Sequence, residues 1–314
     1  MVCSMEFRQL QSFITLAEEL HFGRAADRLD ITQPALSKQI LVLEKAVGVQ
    51  LFSRTKRTVT LTHAGQTFLH QARQLLLQRD QAVLLTRRTG DGEIGQLSIG
   101  FTKTATQTVL PQLLRQFVQR YPEVDLDLRE LATEAQVTAL NQDNIDVAFL
   151  HPPIDQRGLQ LQVILAERFV AVLPPQHPFV HLDAIPLEAF ANEPLIVHPR
   201  KEGPILYDGF LQVCQMAGFQ PKVIQESITL QTRLCLVAAG LGITFVSDRL
   251  QTLVGTNVVC RPIQDCPIQL EFGAAWRQNA ANPVLQNFLE LLVGKKDVGT
   301  GLLAGSSYNA SDAT

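Results

Sequence analysis

The chain lacks what a membrane protein, a secreted protein or a metalloenzyme would need. No apolar run in the sequence reaches the ~18 residues that a spanning helix requires, so no membrane partner is expected. The opening MVCSMEF has no basic segment followed by an apolar core, so no secretory signal is expected and a cytoplasmic location is. The five cysteines (Cys3, Cys214, Cys235, Cys260 and Cys266) are odd in number and fit no zinc spacing. His63 and the acidic residues form no metal-ligand pattern, and no HExxH, P-loop or Ser/His/Asp spacing occurs. Gly240-Leu241-Gly242 follows a predicted helix and precedes a strand, the reverse of a dinucleotide fingerprint, so it reads as a helix stop and a turn. Neither an enzymatic activity nor a cofactor is expected. Net charge is only −3, from 27 basic and 30 acidic residues, and decides nothing about nucleic acid. A local absence says more. No acidic residue lies between Leu51 and Arg79, so the field there is cationic although that of the whole chain is not.

What is present begins with length and apolar content. The 314 residues, 46% of them hydrophobic, suffice for two or three cored domains. The stretch His21–Gly48 reads as two short helices joined by a tight turn. Ala25, Ala26 and Leu29 give the first a small apolar face that another helix can cross closely. Thr32 is a good N-cap for the second, and Pro34 sits in the first turn, where a missing N–H costs nothing. Leu36, Ile40, Leu43 and Val47 recur at helical spacing as the buried stripe. Gln33, Pro34, Ser37 and Lys38 fall off that stripe, at the end a recognition helix pushes into the major groove. Gln can pair with adenine, Ser is a permissive donor and acceptor, and Lys can reach guanine or phosphate. The same spacing also fits an ordinary helical hairpin with a solvated face. An amphipathic helix over Met5–Leu20 can complete the core. After Gly48, two β-prone runs flank Arg54, Lys56 and Arg57, a wing whose tip can touch phosphates; a solvated basic turn is the other reading.

These matches are long and ordered: FRQLQSFITLAEELHFGRAADRL, TQPALSKQI, Leu43-Glu44, GVQLFSR and TLTHAG. Over Met5 to about Leu76 the chain resembles the winged helix-turn-helix of LysR-type transcriptional regulators. The resemblance implies an allosteric DNA-binding protein without catalysis, multi-domain in build. It would have a winged helix-turn-helix domain (1–62), a linker helix (63–90) and a bilobed α/β, periplasmic-binding-protein-like effector domain (91–293), then a flexible tail (294–314). One lobe would comprise 91–163 and 267–293, the other 164–266. DNA contacts would fall on Thr32, Gln33, Pro34, Ser37, Lys38, Arg54, Lys56 and Arg57. Expected partners are promoter DNA, RNA polymerase and a small-molecule effector. Met5 opens the family-like register and is a candidate start, with Met1–Ser4 as an extension. Some members sense oxidants through a cysteine pair, which makes Cys260 and Cys266 a candidate couple; buried reduced thiols are the plainer reading.

Thr62 can cap a helix from His63 to about Gly90, roughly 40 Å at 1.5 Å per residue. Its stripe of Phe68, Ala72, Leu75, Leu76, Ala82, Val83 and Leu85 wants a partner. The same helix of a second subunit would make a homodimer, extendable to a homotetramer; packing on the chain's own C-terminal part is the alternative. From Gln96 the pattern turns to βαβαβ: QLSIGF, Val109–Tyr121, Val124–Leu131, Glu134–Gln142 and Ile145–Leu150. That rhythm implies a parallel sheet covered by helices. Further strands are expected over Leu161–Leu173, and the chain would cross between lobes near Leu161–Glu167 and Ile263–Pro267.

Ligands of open α/β sheets bind outside the carboxyl ends of strands. Those ends lead into Thr102, Lys103 and Thr104, into Thr133, and into Arg200, Lys201, Gly203, Pro204 and Ile205, each opening a helix. Free N–H groups and hydroxyls at positive helix ends make an anion site. A small carboxylate-bearing effector in the cleft is therefore expected. By the resemblance, Thr104 and Thr133 stand where some relatives responding to aromatic-degradation acids hold a carboxylate. The threonines are equally plain N-caps. Phe149, His151, Ile205 and Phe245 are candidates for the cleft walls or for the core. The competing whole-chain reading is a solute-binding or enzymatic α/β protein with an incidental helical N-terminus.

Overall fold

The computed structural model describes residues 5–55, 58–201, 203–266 and 269–293. The chain divides between Thr89 and Gly90 into two compact units.

The first unit is three helices, a hairpin and a long helix. Helix α1 (Phe7–Glu19) starts where Glu6 N–H donates to the Gln9 side chain, 3.0 Å. It stops at Leu20, whose φ of 48° is left-handed. Helix α2 (Phe22–Arg28) is capped by the His21 ring, which accepts from Arg24 N–H at 3.2 Å. Helix α3 (Gln33–Val47) begins at Thr32, whose hydroxyl accepts from Ala35 N–H at 3.4 Å, and ends at Gly48, φ 82°. Strands β1 (Phe52–Arg54) and β2 (Val59–Leu61) pair antiparallel, and α4 (His63–Gly90) follows. Thr62 ties hairpin to helix: its hydroxyl donates to the Gln50 carbonyl and accepts from Gly65 N–H. A Cβ at Gly65 would collide with the Leu51 carbonyl oxygen, so only glycine lets α4 start this close to the hairpin. Phe13 holds the core, its ring 5.3 Å from Phe52 and 5.0 Å from Phe68. Leu36, Ile40 and Leu43 are fully buried beside it. Each such side chain stabilises the fold by roughly 1.5–3 kcal/mol.

The second unit opens with β3 (Ile94–Phe101), α5 (Lys103–Gln107), α6 (Leu110–Arg120), β4 (Glu123–Glu130), α7 (Thr133–Asn141) and β5 (Val147–Leu150). β3 pairs parallel with both β4 and β5, as the alternating pattern requires. Next come β6 (Leu159–Leu173), β7 (Pro194–Val197), α8 (Pro204–Met216), β8 (Lys222–Glu226), α9 (Leu230–Ala238), β9 (Thr244–Ser247), β10 (Val259–Pro262), β11 (Gln269–Arg277) and α10 (Pro283–Val293). The sheet is mixed rather than all-parallel, because β11 lies antiparallel to β5 and β6. The strands expected over Leu161–Leu173 are one strand of 15 residues. Its first part, Leu159–Arg168, pairs with β11, and Phe169–Leu173 pairs with β9 and β10. One strand thus serves two cores. Phe117, Phe149, Phe272 and Phe288 fill the first, and Phe190, Leu195, Val213 and Ile243 the second. Among the described residues, no helix is long and apolar enough to cross a membrane.

Candidate functional site

Two sites emerge, one in each unit. In the first, Gln33, Pro34 and Lys38 are exposed and Ser37 is half-buried at the N-terminal end of α3. The face behind them is sunk in core, so helical spacing alone forces the four outward together. The other end of α3 is anchored by Glu44. Its carboxylate accepts from Leu51 N–H (2.9 Å), Phe52 N–H (3.1 Å) and Arg54 (2.8 Å). The Arg54 guanidinium also lies 5.1 Å from the centroid of the Phe22 ring. Its charge is spent on holding the hairpin against α3 and α2.

In the second unit, a cavity partly open to solvent lies between Thr104, Glu167 and the β7–α8–α9–β9 region. Phe169, Phe210 and Phe245 form an apolar wall. Thr104 stands in front of His151. Burial holds the His151 ring below its ordinary pKa, against a weaker upward pull from its backbone hydrogen bond, so it is neutral. Its Nδ1 lies 3.1 Å from the Glu271 carbonyl oxygen, which can only accept, so Nδ1 carries the proton. Nε2 is then a bare acceptor, and the Thr104 hydroxyl donates to it at 3.3 Å. Thr104 consequently offers the cavity lone pairs rather than a proton.

Two buried residues of opposite charge type also line the cavity. Arg233 is 9% exposed; Nη1 donates to the Ser227 carbonyl (2.9 Å) and to His198 Nδ1 (3.2 Å), while Nε has no partner. Burial lowers its pKa to about 10, which leaves it charged at neutral pH. Glu167 is fully buried, and neither carboxyl oxygen has a hydrogen bond of normal geometry. Burial pushes its pKa up to about 7; the neighbouring Ser247 hydroxyl opposes the rise, Asp248 adds to it and Arg249 opposes it. Among the described residues no ion pair joins Glu167 to Arg233, although both line the cavity.

A family model described as "Bacterial regulatory helix-turn-helix protein, lysR family" matches residues 7–66, and "LysR substrate binding domain" matches residues 90–296. The chain belongs to the LysR family of transcriptional regulators. It is 41% identical over 287 residues to the HTH-type transcriptional regulator AlsR of Bacillus subtilis, covering 91% of this chain and 95% of that one. With IlvR of Caulobacter vibrioides it shares 37% identity, over 92% and 97% of the two chains. The crystal structure of CbnR, a LysR family regulator, superposes with a TM-score of 0.80 at 26% identity, over 92% of this chain and all of that one. Full-length CbnR in complex with its target DNA gives 0.80 at 25%, over 93% and 99%. These relatives are regulators, and so is this chain; it is not an enzyme.

The regulator's side chains do not all lie where the spacing put them. Lys56 and Arg57 fall outside the described residues. Thr133 opens α7 without reaching the cavity lining, and Lys103 pairs with Glu130 at 3.8 Å on the surface. Arg200 grips Asp208 at 2.7 and 2.9 Å and is largely exposed, so it supplies no charge to the cavity wall. Lys201 is exposed, and Gly203, Pro204 and Ile205 open α8, but Leu206, Tyr207 and Phe210 are the α8 residues that reach the wall. Phe149 belongs to the core against Phe288, not to the cavity. Phe245 does line it. Thr102 makes no cap bond, and its hydroxyl is buried without a partner. Among the described residues no disulfide joins Cys260 to Cys266, and the two pack on different apolar clusters. Burial raises the Cys260 thiol pKa and pushes that of Cys214 up to about 12, which disfavours the reactive thiolate. Glu167 and Arg233 were not singled out by spacing. The signal was there: each interrupts an apolar run, LAERFVAVL and TRLCLVAAG.

Proposed function

We propose that this regulator reads promoter DNA with the N-terminal end of α3, as a homodimer or a dimer of dimers. A small carboxylate-bearing metabolite in the cavity then alters how it engages the promoter and RNA polymerase. The observation carrying this reading is the joint outward display of Gln33, Pro34, Ser37 and Lys38 from a helix whose other face is core. Self-association is supported by α4, where Leu77, Val83, Leu84 and Leu85 are 46–57% exposed, an apolar surface that a second copy would cover. A two-fold pair presents two copies of α3 to a pseudo-palindromic site. On the effector side, buried Arg233 is the cation a carboxylate would meet, with Nε still to be satisfied. The effector would act by population shift, favouring whichever arrangement of the protein encloses it more tightly.

A gel-shift titration against salt tests the DNA reading. Affinity for a promoter fragment is expected to fall steeply with salt while a sequence preference persists. Lys38→Ala is expected to relax that preference by about 1–3 kcal/mol at the contacted position. Absence of DNA binding at low salt, or an unaltered preference in Lys38→Ala, overturns the assignment.

A further inference from the structure

We infer that the cavity takes a carboxylate that also carries an N–H or O–H donor, its carboxylate meeting Arg233 and its donor meeting Glu167 and Thr104. The inference deepens the effector reading above and rests on it.

Three observations converge. Glu167 is 0% exposed and lines the cavity, and its two carboxyl oxygens make no hydrogen bond of normal geometry, the Ser247 hydroxyl being a neighbouring donor. Buried carboxyl oxygens are otherwise nearly always satisfied, so this pair marks a place where a further donor can be accommodated. The Thr104 hydroxyl, its proton committed to His151, adds lone pairs to the same cavity. Arg233 contributes a buried cation with an unpartnered Nε–H, and no ion pair joins it to Glu167 among the described residues. The cavity therefore has accepting groups and a donating group that do not neutralise one another.

A plain carboxylate would satisfy only Arg233. It would leave Glu167 stranded, and whenever Glu167 is ionised it would add a like charge to a poorly solvated space. A ligand with a donor at one position and a carboxylate at another completes both ends. An ammonium would hold Glu167 ionised, whereas a hydroxyl can bond to it in either protonation state. The wall of Phe169, Phe210 and Phe245 suits the carbon skeleton between them.

Titration calorimetry on the full-length protein tests this with matched probes: butyrate and 3-phenylpropanoate, each beside its 2-hydroxy and 2-amino derivatives. At least one donor-bearing derivative is expected to bind about tenfold or more tightly than its parent, the usual scale for a hydrogen bond to a charged group. Glu167→Met, which keeps the side-chain length and removes both acceptors, is expected to abolish that preference. Arg233→Gln is expected to weaken every compound that binds. If the parents bind as well as their derivatives, or the preference survives Glu167→Met, this inference falls and the carboxylate reading stands. If none of the six compounds binds the wild-type protein, both fall.

Discussion

Glu44 and Glu167 are both carboxylates set against an apolar core, one in each unit, and they meet opposite fates. Glu44 accepts from two backbone N–H groups and a guanidinium, and its side chain keeps 10% of its surface. Glu167 is fully buried and meets no donor of normal geometry. A satisfied buried charge fixes structure, here the hairpin against the reading helix. An unsatisfied one sits above its free-energy minimum until something arrives to complete it. The first unit keeps its recognition groups on the surface over a finished interior. The second has left part of its interior unfinished, around the cavity.

The largest expected effect breaks the finished side of this contrast. Glu44→Ala leaves the N–H groups of Leu51 and Phe52, both buried residues, without acceptors and frees Arg54. At about 1–3 kcal/mol for each orphaned group, a loss of about 4 kcal/mol is expected. Urea unfolding of the full chain measures it, and gel shift should show weaker DNA binding because the hairpin is no longer fixed to α3. A loss within experimental error would mean water replaces the carboxylate easily, and Glu44 would cease to be a structural contrast to Glu167.

The next effect carries the opposite sign. With its pKa at about 7 in the folded protein, Glu167 binds a proton more tightly folded than unfolded, where carboxyls titrate near 4.5. Below the unfolded value both states are protonated and ionisation contributes nothing to the balance. As pH rises toward the folded value, the unfolded chain releases a proton that the folded one retains, so stability falls; above about 7 the loss is complete. The span corresponds to about 3 kcal/mol. Glu167→Gln is therefore expected to be close to wild type at pH 4 and more stable by up to that amount at pH 8.5, measured by urea unfolding without ligand. A variant equally destabilised at both values would show that Glu167 is already satisfied in the unliganded protein.

The two sites also differ in how far the sequence discloses them. Everything that makes α3 a reading helix is local: the Thr32 cap, the stripe of Leu36, Ile40 and Leu43, and the four residues off it all lie within one helix. Helical spacing is enough to orient them. The βαβαβ rhythm is legible for the same reason, since each crossover declares itself over a short span. The cavity is not local. Glu167 and Arg233 are 66 positions apart, and β6, α9 and the folding between them put both on one lining. β6 itself resists reading as one strand because its first part mixes exposed, half-buried and buried residues without strict alternation, while its far end, Phe169–Leu173, is apolar and buried throughout. The role of Thr104 was hidden differently. Its place after a strand is visible in sequence, but the direction of its proton depends on His151 and on the carbonyl of Glu271, on a strand far along the chain.

Arg200 supplies the smallest expected effect and the sharpest control on the contrast. Spacing alone makes it an attractive anion contact, a cation next to a helix start in the second unit. Its guanidinium instead makes two bonds to Asp208, which hold that carboxyl below and the guanidinium above their usual ranges, and the pair stands in solvent. An exposed pair of this kind contributes little to stability, and its charge is neutralised before any ligand arrives. Arg200→Ala is therefore expected to leave both the melting temperature and calorimetric affinity for any carboxylate within error of wild type, under conditions where Arg233→Gln weakens it clearly. Should the two substitutions weaken binding equally, the anion would be meeting a surface cation. The interior charges around the cavity would then need another explanation than a ligand that completes them.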